Sequence, residues 1–209
     1  MLKKYFYHIV FLLIIFIGVI LRFYQLGNNP PSLDWDETSI GYNAYSILKT
    51  GKDEYGSLFP VSIRSFDDYK PPLTIYLTVP SIATFGLNEF AVRFPFAILG
   101  VLAVVVMYFL VKELLPKWEK NKQQIIALTS AFFLSISPWH LQFSRAAFEG
   151  SIGLFFLMCG LWLFFKGLRS GRFLVIASIA FVLSLYSYHS FRLLIPLLLF
   201  FLTVFFSLF

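Results

Sequence analysis

Acidic and basic residues recur here in short clusters between long apolar runs. Asp34, Asp36 and Glu37 form one cluster, and Asp67, Asp68 and Lys70 form a second, just before Pro71-Pro72. Glu89 and Arg93 follow, then His140, Arg145 and Glu149, then His189 and Arg192. A carboxylate beside a hydroxyl can take its proton as a new bond forms, and cations can hold a phosphate as it leaves. Asp36 or a neighbour suits the first task. Lys70, Arg93, Arg145 and Arg192 suit the second. His140 and His189 lack partners at metal-ligand spacing, so no metal ligands are assigned; no cofactor is assigned either, and a divalent metal ion is left open.

The elements that carry these clusters belong to a membrane. The chain of 209 residues is 58% hydrophobic and 13% charged, against roughly 25% charged in an ordinary soluble domain. A soluble core of this size could not hide that much apolar surface. The net charge of +6 is spread between apolar runs, with no basic stripe or zinc pattern, which excludes a nucleic-acid binder. The single cysteine, Cys159, permits no internal disulfide.

Uncharged stretches at residues 5–21, 94–111, 123–144, 150–165, 173–191 and 193–209 approach the ~20 residues of a spanning helix. This predicts an all-α, multi-pass helix bundle of about six spans. The first run follows Lys3-Lys4 but ends in Leu21-Arg22-Phe23 without a small-residue cleavage site, so it reads as a retained anchor with Arg22 at the interface. Residues 71–88 are also uncharged but carry Pro71, Pro72, Pro80 and Gly86. Keeping this stretch out of the membrane puts the basic connections 112–122 and 166–172 on the cytoplasmic side with the N-terminus, as the positive-inside bias requires. A long outer segment, residues 22–93, then follows the first span. All the clusters named above fall on the outer face, and ionisable groups at membrane ends are expensive unless paired or functional. A phosphate-linked donor held in the bilayer is the natural substrate there, because no nucleotide pool is available.

Local chemistry offers a plainer account of some of these residues. Asp34 and Glu37 sit three apart before Ile40, Ala44 and Ile47, a capping-box pattern for an interfacial helix over about 36–48. Asp34 is assigned to the cap, Glu37 is open between cap and catalysis, and Asp36 is spare to the cap. Glu89 could pair with Arg93 one turn later, and Arg145 with Glu149. Asp53-Glu54 between glycines reads as a turn.

Trp35-Asp36-Glu37-Thr38, Lys70-Pro71-Pro72-Leu73, Asn88-Glu89-Phe90-Ala91-Val92-Arg93-Phe94-Pro95 and Ser137-Pro138 with Phe143-Ser144-Arg145 occur in that order. Together they resemble the protein O-mannosyltransferase and aminoarabinose-transferase group of integral-membrane glycosyltransferases with the GT-C fold. The resemblance implies a polyprenyl-phosphate sugar donor, an acceptor hydroxyl on a protein, lipid or glycan, an extracytoplasmic site in the cell membrane, and an inverting single displacement. It implies that Asp36 is the catalytic carboxylate of an Asp-Glu pair completed by Glu37, that Lys70 contacts the donor phosphate, and that Arg93 is a retained arginine at a span start; by their charge Arg93 and Arg145 are assigned with Lys70 to the donor phosphate. Glu149, His189 and Arg192 are further candidates. Mannosyltransferases of the group usually have Asp where Glu149 stands and His where Lys70 stands, so the resemblance names neither sugar nor acceptor. Members of the group are far longer, so residues 1–209 read as the N-terminal part of a module whose C-terminal remainder is missing. The alternatives are a transporter or flippase subunit that binds a lipid-linked sugar without reacting, and an inactive truncated remnant.

Overall fold

A computed structural model describes residues 2–208, with side chains described for 5–205; the side chains of Lys3 and Lys4 and the end of the last apolar run lie outside these. Nine helices and one short hairpin make up the described chain: α1 (Leu2–Phe23), α2 (Trp35–Thr50), β1 (Ile63–Ser65), β2 (Asp68–Lys70), α3 (Leu73–Phe85), α4 (Glu89–Leu114), α5 (Lys120–Ile136), α6 (Pro138–Arg145), α7 (Glu149–Gly167), α8 (Arg172–Leu185) and α9 (Phe191–Leu208). The hairpin is the one departure from an all-helical expectation. Its strands pair antiparallel, with Ile63 opposite Lys70 and Ser65 opposite Asp68.

Helix α4 is the central post. Its N-terminal half supplies Ala91, Val92 and Phe96 to a core shared with Ile40, Ala44 and Ile47 of α2, Ile75 and Ile82 of α3, and Ile152 of α7. Its C-terminal half supplies Val104 and Tyr108 to a second core with Ile14 of α1 and Leu128 and Ala131 of α5. A third core joins Leu157 of α7 to Phe181 of α8 and Ile195 of α9.

Three helices, α1, α4 and α7, are long and apolar enough to cross a membrane, and α5 with α6 makes a fourth span if the pair, bent by 56°, crosses as one. The expected six are therefore not all matched. Helix α8 has 14 residues, about 21 Å of helix against a hydrocarbon core of roughly 30 Å. Helix α3, with 13 residues, is likewise too short, in keeping with the non-spanning reading of residues 71–88. The chain is a multi-pass membrane protein.

The two basic connections meet at one end of the bundle. Arg169 pairs with Glu113, Lys166 lies 4.3 Å from the Phe173 ring centre, and Gln123 donates to the Lys112 and Leu115 carbonyls that end α4. Helix α2, the hairpin and the N-terminal ends of α4 and α7 occupy the opposite end.

Glycines let helices approach on α7. A Cβ at Gly160 would lie 2.6 Å from the Phe181 ring, and one at Gly153 would lie 2.2 Å from Phe191. Small residues at such seams permit the close packing that holds membrane helices together. Gly160→Ala should therefore destabilise the protein by about 1–3 kcal/mol, the range for overpacking. Thermal unfolding in detergent measures it, and Gly171→Ala, where the space is open, is the control.

Candidate active site

Helix α2 begins as its residues dictate. Asp34 accepts from the Glu37 amide at 2.8 Å, and Glu37 Oε2 accepts from the Asp34 amide at 3.1 Å, completing the capping box. Glu37 does more than cap. Arg93 Nε donates to its Oε1 at 2.7 Å and Nη2 to its Oε2 at 2.9 Å. The remaining Arg93 hydrogens go to the carbonyls of Leu26 (3.1 Å), Pro30 (2.8 Å) and Ser32 (2.8 Å). All five guanidinium donors are thus used, and Arg93 is 0% exposed. Glu89 stays exposed and does not take the pairing expected of it. The structure leaves Arg93 no hydrogen for a phosphate, and leaves Glu37 no free carboxylate for catalysis. Both hold the loop between α1 and α2 onto α4.

Arg145 also departs from expectation. It does not pair with Glu149; its terminal nitrogens donate to the carbonyls of Leu21 (2.7 Å), Arg22 (3.3 Å), Tyr24 (3.0 Å) and Asn29 (2.9 Å). It caps the C-terminal end of α1, where unpaired carbonyls and the negative end of the helix dipole attract a cation.

Arg22, read as an interfacial anchor, is instead fully buried. The cause is the break at Pro138: proline has no N–H, and the bend orphans carbonyls at the end of α5. Arg22 donates to Ser135 O at 3.1 Å and Leu134 O at 3.5 Å. It also donates to His140 Nδ1 at 2.7 Å, so His140 is buried in the bundle as an acceptor. Three arginines therefore act as collectors of main-chain oxygen.

What remains forms one cluster. Lys70, at the end of β2, has a side chain only 6% exposed, and its Nζ donates to Asp36 Oδ1 at 2.5 Å. Asp68 Oδ2 and Glu149 Oε1 each lie 3.7 Å from the same nitrogen, beyond hydrogen-bond reach. Two of its three hydrogens therefore lack a short acceptor among these groups, in contrast to Arg93. Burial pulls the ammonium's pKa down, but the Asp36 hydrogen bond and the charges of Glu149, Asp36 and Asp68 raise it above the ordinary lysine value. It is a permanent cation at physiological pH. The Asp36 side chain is 48% exposed, open to a second partner.

The turn between α8 and α9 closes one side of this cluster. His189 Nε2 lies 2.6 Å from the Tyr69 carbonyl, to which it can donate, and the Leu73 amide donates to Tyr186 O at 3.2 Å. Arg192, three residues on, is exposed and makes no ion pair among the described residues. Of the expected site residues, then, Asp36, Lys70 and Glu149 come together, with His189 against the same strand. Asp68 joins them. No group of three His, Cys, Asp or Glu side chains among the described residues is placed to hold a metal ion; the point that Asp36, Asp68 and Glu149 share is taken by the Lys70 ammonium.

Residues 69–207 match the family model described as dolichyl-phosphate-mannose-protein mannosyltransferase. The match takes in Lys70, Glu149, His189 and Arg192, and begins after Asp36. A putative mannosyltransferase of Bacillus subtilis, YkcB, is 25% identical over 183 residues, which are 86% of this chain and 24% of that protein. An uncharacterised protein of Aquifex aeolicus is 31% identical over 156 residues, 75% of this chain and 29% of its own length. The chain thus spans about a quarter of the curated relatives it matches. The crystal structure of the Archaeoglobus fulgidus oligosaccharyltransferase in the apo form superposes with a TM-score of 0.68 over 96% of this chain and 26% of that one, at 21% identity, a likeness of fold. The chain is a member of the dolichyl-phosphate-mannose-protein mannosyltransferase family, built on the membrane glycosyltransferase fold.

Proposed function

We propose that this chain carries the donor site of a glycosyltransferase that moves a sugar from a polyprenyl-phosphate donor to an acceptor hydroxyl at the extracytoplasmic face. The observation that carries the reading is the half-exposed Asp36 carboxylate in contact with the unsaturated Lys70 ammonium, where α2, β2, α7 and the α8–α9 turn meet. The clustering of basic connections at the far end supports an outer location, through the positive-inside bias. Protein, lipid or glycan can each supply the acceptor hydroxyl.

The chemistry is a single displacement. The acceptor oxygen attacks the anomeric carbon while the bond to the phosphate oxygen breaks, and that oxygen keeps the electron pair. The acceptor proton passes to Asp36. Lys70 neutralises the departing phosphate, and Arg192, exposed and three residues after His189, is available as a second cation. Glu149 and Asp68 hold the ammonium in place between them. Inversion at the anomeric carbon follows from attack opposite the leaving phosphate.

Lys70→Met tests the phosphate role. It keeps the length of the side chain and removes the charge, so donor affinity and the chemical step should both suffer, with kcat/KM down about 10²–10³-fold, as for loss of one preorganised electrostatic donor. Arg192→Met should cost less, because an exposed charge is screened more than the buried Lys70 ammonium. Equal activity of wild type and Lys70→Met in transfer from a polyprenyl-phosphate sugar would remove Lys70 from the site.

A further inference from the structure

The outer hairpin turns through Phe66 and Asp67, both with positive φ, at +48° and +60°. Two such residues between paired strands make a type I′ turn, for which Asn-Gly is the favoured sequence. A bulky aromatic there is crowded by its own backbone. Such strain persists mainly where a site needs it. The Phe66 ring is also 62% exposed, so burial does not repay the crowding. It stands 6.1 Å from the ring of Trp35, the two planes tilted by 46° so that they open as a V, and Trp35 is 79% exposed and immediately precedes Asp36.

Two exposed rings beside a membrane could be an interfacial anchor. The charges around them argue otherwise. Asp36, Asp67 and Asp68 present carboxylates on the same rim, with side-chain exposures of 48%, 84% and 67%. With Arg64 and Lys70 already paired to these carboxylates, the rim carries no net positive charge to draw anionic headgroups. Sugars suit it: hydroxyls donate to carboxylates, and the polarised C–H face of a pyranose packs on the negative face of an aromatic ring. The Arg64 pairing with Asp67, and the stacking of Arg64 over Tyr55 at 5.0 Å, hold the hairpin in this pose.

We infer that Trp35 and Phe66 form an aromatic platform for a pyranose ring at the reaction centre. The inference rests on the lipid-phosphate transferase reading above and adds the surface that recognises the sugar. The ring can belong to the donor or to a glycan acceptor; the chemistry is the same.

The test uses the chain in nanodiscs of neutral phospholipid, with wild type, Trp35→Ala and Phe66→Asn. Farnesyl phosphate, farnesyl-phosphate mannose, and methyl α-mannoside in the presence of farnesyl phosphate are titrated by calorimetry. Asparagine accepts the turn conformation, so Phe66→Asn should raise thermal stability while weakening sugar binding, a pairing that a structural role would not give. Each variant should bind farnesyl-phosphate mannose about 3- to 10-fold more weakly, the equivalent of one aromatic contact, with farnesyl phosphate unchanged. A loss confined to methyl α-mannoside also supports the platform and places it on the acceptor side. Equal loss for all three probes, or no loss for either sugar, overturns it while leaving the donor reading intact. Failure of wild type to bind either phosphate probe defeats the donor reading, and the platform with it.

Discussion

Arg93→Ala unfolds or severely destabilises the protein, by about 3–5 kcal/mol, the cost of breaking a buried ion pair by removing one partner. The substitution leaves Glu37 charged and buried, and frees the Leu26, Pro30 and Ser32 carbonyls that the guanidinium now satisfies. Arg93→Lys should not rescue it, because one ammonium cannot reproduce a five-donor fork. Glu37→Gln should be milder, since the amide oxygen still accepts from Arg93 and still leaves the helix cap partly formed. Thermal unfolding of the detergent-solubilised chain gives the ranking. A wild-type melting temperature for Arg93→Ala, with loss of donor binding alone, would return this arginine to the phosphate site.

The arginines show where the sequence stops being readable. Their types and positions, next to span ends and in family-like motifs, suggest phosphate contacts. Apart from the Gly18 carbonyl one turn before Arg22, their partners are carbonyls, a carboxylate and the His140 ring between 56 and 124 residues away. Main-chain oxygen has no side-chain signature, so nothing in the sequence marks it as an acceptor. One signal was available: Ser137-Pro138 must orphan the carbonyls before it, and a buried donor had to be found for them. Local rules fared better. The capping box at Asp34 and Glu37, the turn at Asp53, whose side chain accepts from the Tyr55 and Ser57 amides, and the short α3 all follow from near neighbours. The hairpin was hidden because its strands are three residues each and its turn is Phe66-Asp67. The meeting of Lys70 with Asp36 joins two motifs 34 residues apart, whereas the approach of Glu149 to the same ammonium needed α7 to be docked on α4.

Asp36→Asn carries the second large effect. The residue lies in the first turn of α2 but takes no part in its cap, which Asp34 and Glu37 complete. Its carboxylate is half exposed and bound only on one side, by Lys70. Asparagine preserves shape and still accepts from the ammonium through its amide oxygen, so the fold and the donor site should survive. What disappears is the group that takes the acceptor's proton. Loss of a general base lowers transfer by about 10²–10⁴-fold. Asp34→Asn is the matched control: asparagine caps helices about as well as aspartate, so activity should stay near wild type.

The most direct measurement is a single-turnover assay in liposomes on the intact protein that carries this sequence, using radiolabelled polyprenyl-phosphate mannose and following donor binding and sugar transfer separately. The account predicts that Asp36→Asn binds the donor as wild type does while transfer falls by at least about 10²-fold, and that Lys70→Met loses binding as well. Transfer by Asp36→Asn at the wild-type rate, from a donor bound equally well, would contradict it.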